Sequence, residues 1–91
     1  MAKDSEAQAA LRRLARALEP VDNVNSVHGE NCDGGWHAWV VVSERSWKND
    51  HDVIQAHVEV DPDFYLTLHV TERADKVPED AIRIVGHMTT G

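Results

Sequence analysis

Six histidines and a single cysteine are the residues of this chain best suited to chemistry. His28, Cys32 and His37 surround Asp33-Gly34-Gly35, which predicts a tight reversal because glycine supplies the positive φ of hairpin turns. Imidazole and thiolate are zinc ligands, and a hairpin can bring residues of its two strands together. A structural zinc normally takes four such ligands, however, and no CxxC or HExxH pattern is present. The sequence therefore predicts polar side chains beside a turn, with no metal and no other cofactor.

A second pair of histidines depends on a predicted β-hairpin. Two alternating runs, 53–60 and 64–71, flank Asp61-Pro62-Asp63, and this arrangement is typical of two strands joined by a turn. His57 would then lie diagonally across from His69 on one face, within reach of a shared ligand. Two surface imidazoles on the polar side of a strand are the simpler interpretation. Solvation likewise explains the carboxylates of Asp61 and Asp63 in the turn.

Serine–histidine pairs are the nearest approach to a catalytic arrangement. Ser26 with His28, and Ser43 or Ser46 with His51, are close in sequence. No strained nucleophile turn or oxyanion hole is predicted beside them, and no glycine-rich phosphate loop with its lysine is present. The sequence therefore favours a protein that is not an enzyme.

Length and charge narrow the class of protein. Ninety-one residues fit one domain, 1–91, and no apolar run is long enough for a transmembrane helix. The first residues lack a signal-peptide layout and one cysteine suits a reducing compartment, so a cytoplasmic location is expected, with no membrane partner. The net charge is −7, of which residues 51–91 contribute −5 from eight acidic and three basic groups. An acidic surface repels phosphates, so direct nucleic-acid binding is not expected.

The first element that must position these residues is an amphipathic helix over 5–19. Ser5 with Gln8 resembles a capping box, and Pro20 disfavours helical geometry at the preceding residue. The apolar stripe of the helix consists of Ala7, Leu11, Leu14 and Leu18. This stripe needs an apolar surface to cover.

Strands supply that surface. Alternating or β-branched runs predict strands at 24–30, 36–43, 53–60, 64–71 and 82–88, with a polar connection over 44–52. For the last of these a helix is the alternative, because Pro78-Glu79-Asp80 resembles a helix start. The fold class is therefore α+β: a two-layer sandwich of the N-terminal helix on a three- to five-stranded, mostly antiparallel sheet. A ferredoxin-like order is the alternative, reached if residues 51–60 are helical.

One face of the predicted sheet carries aromatic side chains where a plain two-layer domain would carry polar ones. Tryptophan and tyrosine are favoured at protein interfaces. The predicted interface consists of His37, Trp39, Val41, Trp47, His57, Tyr65 and His69.

These observations favour a non-enzymatic, acidic protein-interaction domain that forms a homodimer or belongs to a larger assembly. One alternative is a regulatory domain that binds a metal or small ligand through His57 and His69, or through His28, Cys32 and His37. Another is an acidic inhibitor of the phage type, which presents carboxylates to a basic nucleic-acid-binding protein.

Overall fold

A computed structural model describes residues 2–32 and 35–84 of the chain. Its helices are α1 (Ala2–Leu18) and α2 (Trp47–Val60), and a 3₁₀ turn covers Ala74–Lys76. Its strands are β1 (Val24–Cys32), β2 (Gly35–Val42), β3 (Leu66–Thr71) and β4 (Ile82–Ile84). The four strands form one mixed sheet in the order β3-β2-β1-β4, and both helices pack on one face of it. The predicted α+β two-layer sandwich is confirmed.

Helix α1 is the main cover of the sheet, as its apolar stripe predicts. Leu11, Leu14 and Leu18 are at most 1% exposed, and they pack with Val40 and Val42 of β2 in the core. The helix ends at Leu18, before Glu19 and Pro20, as the proline predicts. Because this stripe is local in sequence, the helix could be predicted without knowledge of the rest of the fold.

The β1–β2 hairpin is confirmed, although its turn residues 33 and 34 lie outside the described residues. The two strands pair antiparallel from Val24↔Val42 to Cys32↔Gly35, with an irregularity between Val24 and Ser26. Ala38, Val40 and Val42 of β2 face the helices, as the alternating pattern predicts. At the far edge, β4 pairs antiparallel with β1 over the three residues 82–84. The rest of the predicted strand 82–88 lies outside the described residues.

The predicted hairpin of 53–60 with 64–71 is wrong. Residues 47–60 form α2, and β3 pairs parallel with β2 instead of antiparallel with its predecessor. Parallel neighbours require a crossover connection, which α2 supplies. The helix begins inside the predicted polar connection, where the Ser46 hydroxyl accepts a hydrogen bond from the Asn49 amide. A helix over 51–60 was the condition for the ferredoxin-like alternative, but the order α-β-β-α-β-β differs from the β-α-β-β-α-β of that fold.

The solvated carboxylate predicted for Asp61 is also wrong, because the side chain is buried. The residue is 1% exposed, and its oxygens accept hydrogen bonds from the Tyr65 and Leu66 amides at 2.8 Å each. Nε2 of His57 lies 3.1 Å from the same carboxylate. Asp61 therefore fixes the chain between α2 and β3, while Asp63 is exposed.

Neither helix in the described part of the chain has the length and apolar character needed to cross a bilayer.

Candidate functional site

The side of the sheet that faces away from the two helices is here termed the open sheet face. Strand alternation and register place the following residues on it: Ser26, His28, Glu30, Cys32, His37, Trp39, Val41, Thr67, His69, Thr71 and Arg83. Three histidines, the cysteine and one tryptophan are therefore brought to one surface by three different strands. Its formal charges are one acid and one base, in a chain whose net charge is −7.

An aromatic row crosses the centre of the open sheet face. The His69 ring stacks on Trp39 with ring centroids 4.2 Å apart, and on His37 with centroids 5.0 Å apart. Nδ1 of His37 is 2.7 Å from Nε2 of His69, so one of these nitrogens donates a hydrogen bond to the other. Partial burial is the main cause that lowers the pKa of His69; the His37 imidazole adds to the effect and Glu30 opposes it. The lowered pKa favours the neutral form of the His69 imidazole.

Beside this row lies a cluster of three possible metal ligands: Glu30, Cys32 and His37. One ligand atom from each of them lies within 4.8 Å of the other two, and all three side chains are half-buried. The register explains the cluster, because Glu30 pairs with His37 across the hairpin and Cys32 follows two residues later on the same face. Two of the three residues predicted around the turn, Cys32 and His37, are thus brought together, and Glu30 takes the place expected for His28.

His28 lies outside this cluster. It pairs with Trp39 on one side and Arg83 on the other, and its Nε2 is 2.9 Å from the Ser26 hydroxyl. Partial burial lowers the pKa of His28, and the Arg83 charge acts in the same direction. A catalytic imidazole is normally oriented by a carboxylate on its other nitrogen. The charge that acts on the His28 imidazole is that of a cation, Arg83.

The remaining members of the predicted interface are separated by the fold. His57 is buried in α2 and contacts Asp61. The Tyr65 hydroxyl is hydrogen-bonded to the Glu6 carboxylate of α1, which is the main cause that raises its pKa. Val41 is on the open sheet face but is 4% exposed. His57 and His69 are therefore not neighbours, and the ligand site predicted from that pair is not formed.

Trp47 lies on a second surface, the outer side of α2. It is 83% exposed and its ring stacks on His51, with centroids 5.8 Å apart. Ile54 and Val58, at 49% and 43%, continue the same side of the helix. The four residues Trp47, His51, Ile54 and Val58 are here termed the α2 stripe. The predicted strand over 53–60 places Ile54 and Val58 on its inward side, so this surface could not be predicted from the sequence.

Comparison with known proteins found no matching family model, no matching curated protein and no matching solved structure. Function is therefore inferred from the geometry of these two surfaces.

Proposed function

We propose that this protein is a non-enzymatic interaction domain that pairs with a second copy of itself through the α2 stripe. The observation that carries the proposal is the exposure of three large apolar side chains in a row on one helix. Contiguous exposed apolar surface of this kind is a mark of protein–protein contact in soluble domains. Tryptophan, the most exposed of the three, is also the residue type most often found at the centre of such contacts.

The spacing of the stripe suits another helix as its partner. Trp47, His51, Ile54 and Val58 are separated by four, three and four residues, the alternation that lines the seam of paired helices. Helix α2 has 14 residues, which at 1.5 Å per residue gives a seam of about 21 Å. Its opposite side is already occupied, since Val53 and His57 are buried in the domain. One helix thus serves the core with one side and is available for a partner with the other.

The order of residues points to an antiparallel copy. A four-three-four spacing reads the same in both directions, so an antiparallel pair places Trp47 against Val58 and His51 against Ile54 of the second copy. Such a contact is self-complementary about a two-fold axis. The apolar spacing alone would also permit a parallel pair.

Charge favours the antiparallel arrangement over the parallel one. A polar row flanks the stripe, made of Lys48, Asp52, Gln55 and Glu59, all of them exposed. This row has the same palindromic spacing, so an antiparallel copy brings Lys48 near Glu59 of the other chain, twice over. In a parallel copy the two-fold axis runs along the helices and places the two polar rows on opposite sides of the seam, so that no Lys48–Glu59 pair is formed.

The test is sedimentation velocity of the 91-residue chain over a range of concentrations. We expect reversible dimers, because a seam of this size lies at the low end of specific protein interfaces. The double variant Trp47→Gln/Ile54→Gln should remain folded by circular dichroism and become monomeric. Trp39→Ser, on the open sheet face, is the matched control and should still dimerise.

A charge exchange tests the orientation. Lys48→Glu and Glu59→Lys should each weaken the dimer, and the two together should restore it, because the ion pairs are reformed with their signs reversed. A wild-type chain that stays monomeric at millimolar concentration would overturn the proposal. Loss of the dimer in Trp39→Ser, but not in the α2 variant, would transfer the interface to the open sheet face.

A further inference from the structure

We propose that the open sheet face binds one divalent transition-metal ion, Zn²⁺ by the chemistry of its donors, through Glu30, Cys32 and His37. These side chains already hold one ligand atom each within 4.8 Å of the other two. Around a metal with Zn–S near 2.3 Å and Zn–N near 2.1 Å, neighbouring ligand atoms stand about 3–4 Å apart. The three side chains therefore reach a common ion with little rotation and no movement of the strands. The site is independent of the α2 stripe.

The donor set selects the kind of ion. A thiolate and an imidazole are the ligands that zinc prefers, whereas magnesium and calcium take oxygen ligands almost alone. Glu30 adds a carboxylate, so the set of three supplies two negative charges once Cys32 has lost its proton to solvent on binding. The net charge of −7 adds a general attraction for cations. Because Cys32 is the only cysteine of the chain, no internal disulfide competes for its sulfur.

The surroundings of the cluster resemble a second ligand shell. Metal-bound histidines usually hydrogen-bond through their other ring nitrogen, which fixes the ring. Nδ1 of His37 already has such a partner in Nε2 of His69, and a metal held through Nε2 of His37 would keep that contact. The Glu30 carboxylate similarly accepts a hydrogen bond from the Trp39 indole at 3.4 Å. Two of the three ligands are thus oriented by the aromatic row.

Three protein ligands leave a tetrahedral zinc with one open position. Sites of this kind bind water or an exchangeable ligand in the fourth place, whereas purely structural sites are closed by four side chains. The core lies between the helices and the opposite face of the sheet, and it contains none of the three ligands. The metal is therefore expected to be exchangeable and not required for folding.

The experiment titrates the reduced, metal-free chain with Co²⁺ and then displaces the cobalt with Zn²⁺. We expect one equivalent of cobalt, a thiolate-to-cobalt charge-transfer band in the near ultraviolet, and loss of that band on adding zinc. Cys32→Ser should abolish the band. His37→Gln and Glu30→Gln should each weaken zinc binding by about tenfold or more, the scale at which even outer-shell partners act.

His28→Gln is the matched control, because it removes a histidine from the same face without touching the cluster. It should leave stoichiometry and affinity unchanged, and circular dichroism should show all variants folded in the absence of metal. Binding that survives Cys32→Ser would overturn the site, as would equal weakening by His28→Gln. Repeating the titration in Trp47→Gln/Ile54→Gln separates this proposal from the dimer, since zinc should bind that variant unchanged.

Discussion

Leu11 of α1 lies directly over Gly29 of β1: Cδ1 of Leu11 is 2.6 Å from the position that a Cβ on residue 29 would occupy. Leu11 is 1% exposed and has little room to move aside. Gly29→Ala should therefore destabilise the protein by about 1–3 kcal/mol, the cost of overpacking a core. Urea denaturation monitored by tryptophan fluorescence measures it.

A double-mutant cycle separates this clash from a loss of backbone freedom. In a Leu11→Ala background, which itself should cost about 2–5 kcal/mol, the space above residue 29 is vacated and Gly29→Ala should cost far less. Equal costs in both backgrounds would show that the close approach to Leu11 is not the cause.

Asp61 is expected to be the most sensitive polar residue of the described chain. Asp61→Asn keeps the size of the side chain but replaces one carboxylate oxygen by an NH₂ group. That group, itself a donor, would face a backbone N–H that donates to the carboxylate in the wild-type protein. Leaving such a buried group unpaired costs about 1–3 kcal/mol, and more where a charge is lost. Asp63→Asn, two residues away and exposed, is the control and should be neutral in the same denaturation assay.

Ser46 should contribute as the N-cap of α2. Ser46→Ala removes the acceptor for the Asn49 amide at 3.1 Å and should lower the free energy of unfolding by about 0.5–2 kcal/mol. Ser46→Asp keeps an acceptor at the cap and should retain wild-type stability. A neutral Ser46→Ala variant would be evidence against helix initiation at this position.

Tyr65 gives a pH dependence that can be measured directly, since it is the only tyrosine of the chain. The pKa of its phenol is raised above the usual 10.0, chiefly by the hydrogen bond to Glu6. In the window between 10.0 and the raised value the unfolded chain has lost this proton and the folded chain has kept it. The contribution of this bond to stability is therefore complete below pH 10 and is lost as pH rises through the folded pKa.

Ultraviolet titration of tyrosinate should give a pKa above that of a model tyrosine, and Glu6→Gln should return it towards the ordinary value. An unchanged titration curve in Glu6→Gln would contradict the assigned cause.

Local patterns allowed much of the fold to be predicted. The stripe of α1 and the alternation of β2 each depend on a single element facing one core, so both could be identified without the tertiary structure. The strand predicted over 53–60 was wrong for a physical reason. Val53 and His57 face inward with helical spacing, but Ile54 and Val58 are apolar on the outer side of the helix. Together with Ala56 and Val60, these two outer residues form an alternating apolar pattern that is typical of a strand. The error arose where the α2 stripe departs from an ordinary amphipathic helix.

In the cluster of Glu30, Cys32 and His37, two of the three residues could be predicted from the sequence. Cys32 and His37 could be recognised from residue type and from the turn between them. Glu30 could not be recognised in this way, because a single acidic residue on a strand is most simply explained by solvation. Only the register, in which Glu30 pairs with His37, makes it a neighbour of both.

The parallel crossover of α2 also determines how the two proposed surfaces relate to each other. Since α2 lies in the helix layer, pairing through its outer side would leave the open sheet face of each copy uncovered. A dimer joined in this way would carry two identical metal-ligating clusters, one on each subunit and related by the two-fold axis. Each dimer would therefore have two open metal positions, one on each subunit, at which an exchangeable ligand could bind. A partner with two matching groups could then be held by avidity, at an effective concentration set by the spacing of the two sheets.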